Sequence, residues 1–86
     1  MVEKHRIARV VRVTLADLTG VSAEAIRAED RLVEDLKVTS DDLSFVFVPE
    51  VERQLGLRVR TERWRSVHTT QDAIDLLYET LAERPI

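Results

Sequence analysis

Apolar residues recur at helical spacing in three separated stretches, and that periodicity limits what the chain can fold into. In the last stretch Ile74, Leu77, Tyr78 and Leu81 fall at i, i+3, i+4 and i+7. In the first, Ile7, Val10, Val11, Thr14 and Leu18 share one stripe, with Lys4, Arg9, Arg12 and Asp17 away from it. In the middle, Leu43, Phe47, Val51 and Leu55 recur at every fourth residue. A helix with one apolar stripe gains most of its stability by burying it, so the stripes must pack on one another. A chain of 86 residues supplies one modest core for this.

The first helix is expected from about Val2 to Leu18, with Gly20 at its end, where a residue tolerant of positive φ is wanted. The second is expected from near Ser40 to Leu55, closed by Gly56. Pro49 lies inside it and either kinks it or splits it, since proline lacks the N–H and crowds the preceding turn. A strand over Ser44–Val48 is the rival reading, Phe-Val-Phe-Val being β-prone, but no partner strand is visible. A short helix is expected over Thr61–Ser66. For the last helix Thr69 is a good N-cap, Asp72 can complete a capping box, and Pro85 lies beyond the end. Residues 20–39 form a long connection. Ser22 could cap a short turn there, and Val21, Ile26, Leu32, Val33 and Leu36 are expected to pin the connection to the helices. The expected fold is all-α: one domain over 1–86, a small four-helix bundle of three main helices and one short one with a long first loop.

Composition narrows the chemistry. With no cysteine there is no disulfide framework, thiolate metal site or thiol nucleophile. His5 and His68 alone are poor prospects for a transition-metal site, so no metal is expected. Charges at Glu3, Lys4, Arg6, Arg9 and Arg12 interrupt any secretory-type apolar run, and no stretch reaches membrane-spanning length. A soluble, cytoplasmic, monomeric protein is expected. The net charge of -3 hides a pattern: residues 29–52 hold eight acids and two bases, and residues 53–65 hold five bases and one acid. Such patterning bears on partners more than on fold. The overall negative charge argues against a nucleic-acid partner.

The local sequences carry a resemblance. Val33-Glu34-Asp35-Leu36, shortly before a serine at a helix start, resembles the approach to the prosthetic-group site of acyl carrier proteins. Val51-Glu52-Arg53-Gln54-Leu55-Gly56-Leu57-Arg58-Val59 is similar to the end of that family's second helix. Val67-His68-Thr69-Thr70-Gln71-Asp72-Ala73-Ile74-Asp75 is similar to the start of its last one, and residues 6–21 match its first helix in pattern. The resemblance spans nearly the whole chain. It implies a carrier, not an enzyme: a serine at the start of the second helix, here Ser40, would hold 4′-phosphopantetheine. A phosphopantetheinyl transferase would attach that arm from coenzyme A. The arm's thiol would carry acyl groups as thioesters for synthase, ligase or acyltransferase partners of fatty-acid, polyketide or similar biosynthesis. Asp41, Asp42, Glu50 and Glu52 would form the acidic docking face. Phe45, Phe47 and Val48 give the helix more apolar surface than one stripe needs: core packing with one incidental exposed residue, a cavity that shelters an acyl chain, or an exposed partner contact, for which Phe45 is the candidate.

The match departs from the family in named places. The family signature Asp-Ser-Leu is here Thr39-Ser40-Asp41. Counting forward from Val33-Glu34-Asp35-Leu36 puts the acceptor at Ser40, whereas counting back from Leu55-Gly56 puts it at Asp41, so one extra residue lies between. Arg58, Arg60, Arg63 and Arg65 occupy a region usually acidic in the family. Plainer readings stand beside these. Ser40 or Thr39 could be simply an N-cap, Asp41 and Asp42 could serve the helix dipole, and Trp64 could anchor the short helix. The alternative function is an unmodified carrier-like interaction module.

Overall fold

The computed structural model describes residues 2–83. Its elements are α1 (Val2–Thr19), a 3₁₀ turn (Ala23–Ala25), α2 (Ser40–Asp42), a π-helical turn (Leu43–Phe47), α3 (Val48–Leu55), α4 (Thr61–Trp64) and α5 (Thr70–Glu83). The fold is mostly helical, and no strand forms among the described residues. An isolated bridge pairs Arg31 with Thr69, and the strand reading at 44–48 gives way to the π turn. The expected stop at Pro85 lies outside the described residues.

One core joins the helices. Ile7, Val11 and Leu15 of α1, Phe47 and Val51 of the middle run, and Ala73, Ile74 and Leu77 of α5 are buried together. Leu15 was not in the expected stripe, although it lies four residues beyond Val11 on the same face. Val10 and Leu18, which were in it, are only partly buried at the core's edge. Gly20 (φ 77°) and Gly56 (φ 65°) end their helices in the left-handed conformation. The Gly56 N–H bonds to the Glu52 carbonyl.

The long 20–39 connection is tied to the start of α5. The first N–H groups of a helix have no partner within it. Here the Thr70 N–H donates to the Asp30 carbonyl (2.9 Å) and the Gln71 N–H to the Ala28 carbonyl (2.9 Å). The Asp72 N–H donates to the Thr69 hydroxyl (3.0 Å), and the Asp72 carboxylate accepts from the N–H groups of Thr69 and His68 (3.1 and 3.0 Å). The capping box is therefore complete and the loop supplies the remaining acceptors. Leu32 N–H donates to the His68 carbonyl (2.8 Å), and Ile26, Leu32, Leu36 and Val38 are buried beneath the loop. Val33 was expected to help pin this loop, yet it is 48% exposed, while Val38 is buried. Within 32–36 the chain turns tightly, so no strict period sets which residue faces inward. Ser22 precedes the 3₁₀ turn without capping it; its hydroxyl donates to Glu24 instead (2.6 Å).

The middle helix is continuous through Pro49, with a wide turn before it. The Val48 N–H reaches back five residues, to the Leu43 carbonyl. An α-turn holds 3.6 residues, so apolar positions at every fourth residue drift around the axis. A wider turn absorbs that drift and keeps Leu43 beside the buried Phe47, Val51 and Leu55. It also falls where proline's ring would crowd the carbonyl four residues back. The short helix ends at Trp64, two residues before the expected Ser66.

Candidate functional site

The N-terminal end of the 40–55 run gathers the residues singled out by sequence. Thr39 is extended (φ −76°, ψ 159°), and its hydroxyl accepts from the Asp42 N–H at 3.0 Å. Thr39 is thus the N-cap. Ser40 is the first helical residue, is exposed, and its hydroxyl forms no hydrogen bond among the described residues. The cap reading belongs to Thr39, which leaves the Ser40 oxygen without a structural task. Asp41 is exposed beside it and Asp42 half-buried. Phe45 is 76% exposed and Val46 44%, so an apolar knob stands next to the two aspartates.

Glu50 and Glu52 lie further along and are engaged elsewhere. The Glu50 carboxylate accepts from the Arg53 guanidinium and from Gln54 (2.6 Å), and these bonds hold it below the ordinary carboxylate range. Glu52 accepts from the Val59 N–H at 2.8 Å and so fixes the extended stretch after Gly56. The acidic residues of 41–52 therefore divide. Asp41 and Asp42 sit at the Ser40 end, while Glu50 and Glu52 hold local structure.

A groove of about 340 Å³ opens at Ser40. One wall is Ser40, Leu43, Ser44 and Val48; the other is Thr61, Trp64 and Arg65, with Leu32 and Val67 closing it. The Trp64 ring meets Phe47 edge-on (centroids 6.0 Å, interplanar 86°), which ties α4 to the middle run. The Trp64 Nε1 is buried with no partner among the described residues. Sequence reasoning missed Ser44, Thr61, Leu32, Val67 and Arg65 as groove residues. They come from three separated segments, so no local spacing could have shown them.

The four arginines after Gly56 do not act alike. Arg63 pairs with Glu79 (3.4 Å) and Glu83 (3.1 Å) of α5 and so staples the short helix. Arg58, Arg60 and Arg65 are exposed and form no ion pair among the described residues. No cluster of His, Cys, Asp or Glu suited to a metal ion occurs among the described residues, and no helix there is long and apolar enough to cross a membrane. No family model matches this chain, and no curated protein matches it either.

Proposed function

We propose that this chain is a carrier of the acyl-carrier type, with Ser40 as the attachment point of a 4′-phosphopantetheine arm. The observation that carries the reading is the Ser40 hydroxyl: exposed, spared from capping by Thr39, and placed at the mouth of a largely apolar groove. The π turn supports the forward count to Ser40. A π turn holds more residues than an α turn, and this one lies between Ser40 and Leu55, downstream of the serine, as that count requires. In the transfer the Ser40 oxygen forms a bond to the phosphorus of coenzyme A nearest the pantetheine. The phosphoanhydride bond breaks, adenosine 3′,5′-bisphosphate leaves, and the transferase takes the serine proton. With the arm in place on Ser40, its terminal thiol would supply the thioester chemistry that a chain without cysteine lacks.

Asp41, Asp42 and Phe45 form the partner surface in this reading: charge to steer a basic enzyme patch and an aromatic to anchor it. The exposed Phe45 also favours a second reading, an unmodified interaction module using the same surface. Intact-mass measurement after incubation with coenzyme A and a broad-specificity phosphopantetheinyl transferase separates them. The carrier gains one phosphopantetheinyl group, and Ser40→Ala gains none. A stoichiometric partner with no adduct favours the module.

A further inference from the structure

We infer that Arg65 is a specificity residue of the Ser40 groove and pairs with an oxyanion borne by the ligand attached there. This rests on the carrier reading of Ser40 and adds to it the chemical class of the bound group.

The walls of the groove are mostly apolar: Leu43, Val48, Trp64 and Val67. Its polar lining consists of hydroxyls and one formal charge, the Arg65 guanidinium. Apolar pockets with a single placed charge orient a ligand by that charge, and guanidinium matches phosphate and carboxylate geometry with paired N–H donors. Arg65 is also uncommitted. Arg63, two residues earlier, spends its guanidinium on Glu79 and Glu83, whereas the Arg65 side chain has no hydrogen bond or ion pair among the described residues. No acidic residue lines the groove to neutralise it.

The pantetheine portion of the arm is uncharged. An oxyanion in this groove therefore has two sources: the phosphodiester formed on Ser40 itself, or a carboxylate at the free end of the carried group. Arg65 then either holds the arm at its root or selects a dicarboxylic half-thioester over a neutral one.

The test loads full-length wild type, Arg65→Gln and Arg58→Gln from coenzyme A, acetyl-coenzyme A and succinyl-coenzyme A, with the adduct confirmed by mass. Arg58→Gln removes the same charge from the same block but does not line this groove. The readouts are the Arg65 Nε–H resonance and the emission of Trp64, the chain's one tryptophan. A phosphodiester partner shifts the Arg65 signal equally in all three loaded forms. A cargo carboxylate shifts it in the succinyl form alone. In either case the Trp64 response on loading falls to less than half in Arg65→Gln and persists in Arg58→Gln. Loaded protein with an unmoved Arg65 signal, or with equal Trp64 responses in wild type and Arg65→Gln, overturns this inference and leaves the carrier reading standing. Absence of any adduct overturns both.

Discussion

Adjacent hydroxyls at the start of the middle helix have opposite structural weight, and a pair of single substitutions measures it. The Thr39 oxygen accepts the Asp42 N–H at 3.0 Å, which satisfies one of the helix's otherwise unpartnered donors. Removing a Ser or Thr cap costs about 0.5–2 kcal/mol, typically about 1. A loss of about 1 kcal/mol lowers Tm by roughly 4–8 °C in a domain of this size. Ser40 is exposed with no hydrogen bond among the described residues, and alanine is the better helix former. Ser40→Ala therefore changes stability by less than about 0.5 kcal/mol. Urea unfolding of wild type, Thr39→Ala and Ser40→Ala, followed by circular dichroism with a common m-value, gives the comparison. The expected order is a clear loss for Thr39→Ala and almost none for Ser40→Ala. If Ser40→Ala loses as much as Thr39→Ala, the Ser40 hydroxyl has a structural task and the argument that it is held free for attachment fails.

Three further outcomes follow. Phe47 is fully buried and meets Trp64 edge-on, so Phe47→Ala costs about 3–5 kcal/mol in chemical denaturation; a cost below about 1 would contradict this core assignment. Hydrogen bonds from the His68 N–H and from Thr69 hold the Asp72 carboxyl below its ordinary value of 3.8. The stability it adds is full above that value and is lost as pH falls through the folded-state value, so Asp72→Asn flattens the acid limb of stability against pH, and an unchanged slope refutes the linkage. Phe45→Ser leaves the unfolding free energy within about 0.5 kcal/mol of wild type, since the ring is 76% exposed, but weakens transferase binding roughly tenfold; unchanged affinity by titration would remove Phe45 from the proposed docking surface.

The parts legible in sequence were those governed by local chemistry. Thr69 and Asp72 three residues apart specified a capping box, and the structure makes its bonds. Glycines 20 and 56 marked helix ends because a positive φ was needed there. The less legible parts were set by tertiary choice. Thr39 and Ser40 are both favoured cap types, and only the extended backbone at Thr39 decides between them. Val33 and Val38 exchange roles because the turns over 32–36 and the left-handed Lys37 (φ 63°) set side-chain direction, not a period. Pro49 inside the middle helix was visible in the sequence, but the π turn before it depends on how Leu43 and Phe47 meet the core. The groove joins Leu32, Ser40 and Arg65, which are far apart in sequence, so it became visible only after folding.

Fragment mass mapping of the transferase-treated chain tests the carrier assignment most directly. Cleavage at Lys37 and Arg53 releases a peptide spanning 38–53 that contains both Ser40 and Ser44. Phosphopantetheine placed on Ser40, with Ser44 bare, is the predicted outcome. A bare peptide, or one modified at Ser44 alone, contradicts it.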